Sequence, residues 1–292
     1  MDSRFLQSLI ATVECGSIAE AARAENLTAA AVSQRIQALE RELGFALLSR
    51  QAHTARPTEA CQQLLPRARH IVSEVALLAG DADPAGLTGV IRIGAISTAM
   101  TDKIPGVLRH FSRHAANVKP TLVPGTSHSL YQALLADEID AAIVVAPAFE
   151  LPKSLQMLPL GSEPLVLLSR HLPQDGILTT LKTNAYLRYD PKAWGGRFGE
   201  NYLKDQGCRL DAICDLDALE TIAMLVADRV GVSLVPCWPG LEKLAPQCVI
   251  TPINDAAYAR QLILLHKQQQ PRPAMFSVLQ QALQSPPSCG VL

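Results

Sequence analysis

The sequence predicts an α/β domain of two lobes, preceded by an α-rich winged helix-turn-helix domain and a long linker helix. Three observations carry this. Apolar residues recur at helical spacing, punctuated by caps, over residues 1–58. A spacing of three and four then runs on to about residue 79, and from residue 87 strand-like runs alternate with helical ones. A chain of 292 residues is long enough for two domains, and 48% hydrophobic against 18% charged residues excludes a disordered chain. No apolar run reaches the roughly 18 residues of a membrane span. Met1-Asp2-Ser3-Arg4 opens without the apolar block of a signal peptide, so a cytoplasmic protein with no membrane partner is expected.

The first helix buries a stripe of Phe5, Leu6, Leu9, Ile10 and Val13 and stops at Cys15-Gly16. Ser17-Ile18-Ala19-Glu20 has the form of a capping box for a second helix, rich in alanine, that runs through Ala24. Asn26-Leu27 makes the turn. Thr28 caps a third helix, whose Val32, Ile36, Leu39 and Leu43 face inward before Gly44 ends it. In a helix-turn-helix the helix after the turn lies in the DNA major groove and offers the exposed residues of its N-terminal half to base edges. Here those are Ala29, Ala30, Ser33, Gln34 and Gln37. A serine hydroxyl suits phosphate, glutamine suits adenine, and alanine methyls suit the thymine methyl. Leu47-Leu48 followed by Arg50, His53, Arg56 and Thr58 reads as a β-ribbon wing whose cations straddle the phosphate backbone. Net charge is only −1, but residues 1–70 hold eight arginines and no lysine, a bias that favours bidentate contacts.

Along residues 59–79, Cys61, Leu64, Ala68, Ile71, Val75 and Leu78 mark a coiled-coil seam on a helix about 30 Å long. Leu64, Ala68, Ile71, Val75 and Leu78 are the residues expected to pair with a second copy, the alternative being a helix packed on its own domain, with Pro66 bending the helix locally. Gly80 to Gly86 then reads as a hinge.

From residue 87 the pattern is strand (Val90–Gly94), helix (Ile104–Phe111), strand (Thr121–Val123), helix (Leu130 through Ile139) and strand (Ala141–Val145), implying a parallel sheet. A second set follows, with strands at Leu165–Leu168, Tyr186–Tyr189, Ile213-Cys214 and Val232–Pro236, and a helix at Ala218–Ala227. The strand Gln261–His266 is expected to cross back to the first lobe, followed by a helix at Ala274–Gln284 and a loose tail, 285–292. Domain limits expected on this basis are 1–58, the linker 59–86, and 87–292. Within the last, one lobe comprises 87–162 with 266–292 and the other 163–265.

Several segments together resemble the LysR-type transcriptional regulators. They are Ala21-Ala22-Arg23, Leu27-Thr28, Ala31-Val32-Ser33-Gln34-Arg35-Ile36, Ala38-Leu39-Glu40, Leu43-Gly44, Leu47-Leu48 with Arg50, and Pro57-Thr58-Glu59-Ala60. The looser segments Ile91-Arg92-Ile93-Gly94, Leu134 to Ile143 and Gly231 to Pro236 extend the resemblance over nearly the whole chain. Two positions depart from the family pattern. Ala29-Ala30 stands where Gln-Pro or Gln-Ser is common, which removes a base contact, and Cys61 stands where glycine is common. The resemblance implies a periplasmic-binding-protein-like effector domain, double-stranded promoter DNA and a small-molecule effector as partners, a dimer or tetramer, and possible contact with RNA polymerase.

Position by position, the resemblance also places Ser97, Thr98, Thr126, Ser127 and His128 on one wall of an effector cleft and Tyr189, Trp194 and Asp217 on the other. Each hydroxyl can equally be a helix cap. His128 can be a plain surface histidine, Asp217 an N-cap or a partner for a cationic effector, and Trp194-Gly195-Gly196 a lip or a simple loop. No Gly-rich phosphate loop, nucleophile elbow, catalytic carboxylate pair or metal-ligand spacing is present, so no catalytic residue, metal or cofactor is expected. The seven scattered cysteines suit reduced thiols. A redox-responsive regulator using Cys208 and Cys214, or a solute-binding protein without DNA function, are the alternatives.

Overall fold

The computed structural model describes residues 1–49, 55–81 and 83–284. Arg50, His53 and the tail 285–292, all singled out above, lie outside the described residues. The chain divides into two compact units, one built of Met1–Gly89 with Leu135–Glu138 and the other of Val90–Leu134 and Ile139 onward.

In the first unit, α1 (Ser3–Cys15) is capped by Asp2 and ends at Gly16, whose φ of 73° is the left-handed conformation a glycine adopts without cost. α2 (Ile18–Ala24) is capped by Ser17, which accepts from the Glu20 amide. Glu20 does not return the bond as a capping box would; its carboxylate takes Arg23 at 2.6 Å. Asn26, at φ 55°, turns the chain into α3 (Ala29–Leu43), capped by Thr28 and closed by left-handed Gly44. β1 (Leu48–Ser49) and β2 (Arg56–Pro57) pair antiparallel, and α4 spans Glu59–Asp81 with Pro66 inside it. Leu6, Leu9, Ala21, Ala22, Val32, Ile36 and Leu39 form the core, closed from the α4 side by Cys61, Leu65 and Ala68.

That last contact corrects part of the expected pairing seam. Ala68 is only 1% exposed in its own unit's core, and Leu64 packs against the same core. The first turns of α4 bury their apolar face on α1, so the face is not free for a second chain. Farther along, Ile71, Val75 and Leu78 are exposed, Leu78 at 64%. α4 continues through Gly80 and Asp81, the first residues of the expected hinge; beyond it Asp83 makes a turn, accepting from the Ala85 and Leu87 amides and the Thr88 hydroxyl, bonds that lower its pKa.

The second unit holds two lobes. In chain order its elements are β3 (Gly89–Ala95), α5 (Ser97–Asp102), α6 (Ile104–His114), β4 (Val118–Pro124), α7 (Ser127–Leu135), β5 (Ala141–Val145), β6 (Leu155–Glu163) and β7 (Leu165–Ser169). There follow α8 (Ile177–Thr183), β8 (Tyr186–Tyr189), α9 (Arg197–Asp205), β9 (Ala212–Leu216), α10 (Leu219–Ala227) and β10 (Ser233–Pro236). The unit ends with α11 (Leu241–Leu244), β11 (Val249–Pro252), β12 (Arg260–Lys267) and α12 (Pro273–Gln284). Lobe I is a five-stranded sheet ordered β4-β3-β5-β12-β6. β5, buried along its whole length, lies at the centre, as its unbroken apolar run requires.

The sheet is mixed rather than parallel. β3 runs parallel to β5, but β12 is antiparallel to both β5 and β6. β12 begins at Arg260 and pairs within lobe I along its length, so the return crossing falls before Arg260 and not at 266. α7 stops at Leu135; Ile139 is a buried loop residue leading into β5 instead of a helical one. In lobe II, β10-β7-β11 is antiparallel and β8 is parallel to β9. β7 is buried on both faces, Val166 and Leu168 entering one core and Leu165 and Leu167 the other.

Candidate functional site

On the first unit, Ala29, Ala30, Gln34 and Gln37 are exposed along the N-terminal half of α3, with Ser33 half-buried and accepting from the Gln37 amide at 3.3 Å. Two sets of contacts hold this helix. Ser8, fully buried, donates to Glu25 at 2.6 Å and accepts from Arg35 at 3.0 Å, tying α1 to the turn and to α3. Glu40 accepts from the Leu47 and Leu48 amides at 2.7 and 3.2 Å, which fixes where the wing leaves α3. Neither role was read from the sequence, because both depend on residues remote along the chain.

Arg56 is exposed on β2. Thr58, expected both on the nucleic-acid face and as a cap of the linker helix, takes the capping role. Its hydroxyl donates to Ala46 and Leu47 carbonyls and accepts from the Cys61 amide, so it caps α4 and pins the wing. Cys61, fully buried beneath it, has a thiol pushed up by burial; the missing glycine is explained as core filling.

In the second unit, a cavity of about 620 Å³ opens between the lobes. Ser97, Thr98, Thr126, Ser127 and His128 line it from lobe I, and Tyr189, Trp194 and Asp217 from lobe II. Strand ends bring them together: β3 runs into α5, β4 into α7, β8 into the loop 190–196, and β9 into α10. Their hydroxyls do different things. Thr126 caps α7, accepting from the Ser129 amide at 3.1 Å, while Ser129 accepts from the Thr126 amide in return. Ser127 accepts from the Val145 amide at the end of β5. Ser97 reaches across the cleft and donates to Glu220 at 3.0 Å. His128 is exposed at the rim.

Asp217 does not cap α10, whose N-cap is Ala218 with no side-chain bond. Burial first, and the neighbouring Asp190 second, raise its pKa, with Arg260 opposing. The loop 190–196 is a hydrogen-bonded turn in which Asp190 accepts from the Lys192 amide and Ala193 accepts from the Gly196 amide. Trp194 leaves it to meet lobe I, edge-on to Phe149 at 5.4 Å and tilted to Tyr131 at 5.8 Å.

Arg260 was missed. It is 1% exposed, lines the cavity, and donates to Glu163 and, at 3.0 Å, to the Thr98 hydroxyl. Glu163 and Arg260 are opposite one another in the ladder where β6 and β12 leave the lobe I sheet. Burial pushes the adjacent Tyr189 phenol up to about 12 despite the pull of Arg260. A lone arginine at the mouth of the apolar run 262–265 was the available signal: such a charge is tolerated only when a partner is buried with it.

Among the described residues, no cluster of acidic, histidine or cysteine side chains could hold a metal ion, and no helix is long and apolar enough to cross a membrane. Two family models match this chain. That of the bacterial regulatory helix-turn-helix proteins of the lysR family covers residues 3–62, and that of the LysR substrate binding domain covers residues 84–286. The HTH-type transcriptional regulator YofA of Bacillus velezensis is 30% identical over 237 residues, 81% of this chain and 81% of that protein. IlvR of Caulobacter vibrioides is 28% identical over 256 residues, 84% and 85% of the two chains. Among solved structures, the LysR family regulator CbnR superposes with a TM-score of 0.70 at 18% identity, covering 98% of this chain and all of that one. A full-length OxyR of Pseudomonas aeruginosa gives 0.68 at 20% identity, covering 97% of each. The two family models between them span most of the sequence, and the chain belongs to the LysR family of bacterial helix-turn-helix transcriptional regulators.

Proposed function

We propose that this LysR-family regulator docks α3 into the major groove of double-stranded promoter DNA, with the wing on the adjacent phosphates. A small-molecule effector in the cleft of the second unit then changes promoter occupancy or contact with RNA polymerase. The single observation that supports this best is the pairing of an exposed N-terminal half of α3, clamped by the Ser8–Glu25–Arg35 and Glu40 contacts, with a separate unit carrying a ligand-sized cavity. Such a protein works in the cytoplasm, where promoters are, and needs no catalytic step of its own.

Fluorescence anisotropy with the chain's own upstream duplex, against a shuffled duplex, tests the reading; equal affinity for both at moderate salt would overturn it. Arg56→Ala is expected to weaken both duplexes alike and to lower the slope of log affinity against log salt by about 1. A change of sequence preference with the salt slope intact would place Arg56 on a base edge instead.

Self-association is proposed to run through the distal part of α4, where Ile71, Val75 and Leu78 stay exposed at the seam spacing. Val75→Glu with Leu78→Glu is expected to reduce the mass seen by light scattering from a dimer or tetramer to a smaller species. An unchanged mass would move the interface elsewhere. The redox alternative finds less support. Cys208 is buried with Leu203 and Tyr202, whereas Cys214 packs against the other core of lobe II, and both are free thiols.

A further inference from the structure

The cleft is sorted by hydrogen-bonding polarity, and this narrows the effector that the reading above requires. On the lobe I wall, Thr98 is 3% and Ser127 7% exposed. Each hydroxyl accepts one bond, from Arg260 and from the Val145 amide, and neither O–H has an acceptor among the described residues. Buried donors left this way cost free energy until an acceptor arrives. The Arg260 guanidinium stands in the same wall.

The lobe II wall has the opposite character. Asp217 has no hydrogen-bond or ion-pair partner among the described residues and lies close enough to Asp190 to feel its charge. Glu220 takes only the Ser97 hydroxyl. Of the cations lining the cavity, Arg260 stands in the lobe I wall with its charge balanced by Glu163 while its guanidinium still faces the cavity, which leaves Lys192 against three carboxylates on the lobe II wall. Between the walls, Ile96, Pro124 and Leu219 supply apolar surface.

We propose that the effector is a zwitterion of the free amino-acid class, its carboxylate received by Thr98, Ser127 and Arg260 and its ammonium by Asp217 and Glu220. The inference rests on the effector-cleft reading. A carboxylate alone would satisfy the buried donors but leave Asp217 facing Asp190. An amine alone would do the reverse. A cavity of about 620 Å³ accommodates a molecule carrying both groups and a side chain. Because the Ser97 hydroxyl bridges to Glu220 across the cleft, an arriving ammonium competes for that carboxylate and couples occupancy to the contact between lobes.

The test is isothermal titration and thermal shift of the full chain with each proteinogenic L-amino acid as probe. For any amino acid that binds, the matched carboxylic acid lacking the amine and the matched amine lacking the carboxylate are titrated too. At least one amino acid is expected to raise the melting temperature while both its matched analogues bind at least about tenfold more weakly. Asp217→Asn, nearly isosteric and belonging to neither packed core of lobe II, is expected to weaken that amino acid about tenfold or more, and Thr98→Val likewise. Three results overturn the proposal: no amino acid binds; the deaminated acid binds as well as the amino acid; or Asp217→Asn leaves affinity unchanged. If a plain carboxylic acid binds and Thr98→Val abolishes it, the effector cleft stands and the zwitterion alone falls.

Discussion

Glu163→Ala is expected to destabilise the second unit by about 3–5 kcal/mol, because it leaves the Arg260 guanidinium buried at 1% exposure with its charge partner gone. Thr98 and Tyr189 remain beside it, but neither carries a compensating charge. The arginine must then draw water into the base of the cleft or pull β12 away from β6, where the two residues face each other in the ladder. Removing both charges is a different experiment. Glu163→Leu with Arg260→Met exchanges an ion pair for apolar volume, and should recover most of the loss. It should nevertheless impair the cleft, since Thr98 loses its donor. Both tryptophans of the chain, Trp194 and Trp238, lie in the second unit, so urea unfolding followed by tryptophan fluorescence reads this unit alone. A single-mutant loss below about 1 kcal/mol would mean that the pair carries no stability there.

What was legible in the sequence follows from distance along the chain. Ser17, Thr28, Gly16 and Gly44 announce the helix ends because a cap acts on amides and carbonyls a few residues away, and each adopts the expected role. The lobe I wall was legible through the family resemblance, which places Ser97, Thr98, Thr126 and Ser127 there, and the structure puts them at two strand-to-helix junctions that open on the cavity. Arg260 and Thr98 are 162 positions apart, and no local pattern links them. β6 was missed because Pro159 and Gly161 break its alternation, although it closes an edge of the sheet on β12. Ala68 was misplaced because one period of three and four describes both halves of α4. The first half turns its stripe to α1 and the second to solvent, and periodicity does not say what a stripe faces.

Gly196→Ala should be the most damaging change of a single methyl group in the loop 190–196 beside the cleft. The backbone at Gly196 has φ −69° and ψ −26°, ordinary helical values that alanine adopts, so loss of glycine's freedom in the unfolded chain would by itself stabilise by about 0.4–1 kcal/mol. Sterics reverse the sign. A Cβ at this position falls 1.9 Å from the carbonyl oxygen of Asp190 and 2.6 Å from its carbon, and neither can swing aside as a side-chain tip would. The turn 190–196 must open, which carries Trp194 off Phe149 and Tyr131 and shifts Asp190 relative to Asp217. A loss of about 1–3 kcal/mol or more is expected, together with a red-shifted tryptophan emission. Gly106→Ala supplies the opposite control: it lies within α6, where the nearest atom to an added Cβ is 4.0 Å away, and is expected to stabilise by about 0.5–1 kcal/mol. If both variants melt with the parent protein, close backbone approach is not what holds the loop. If only Gly196→Ala falls, the glycine is there to let Asp190 and Trp194 reach the cleft on one short turn.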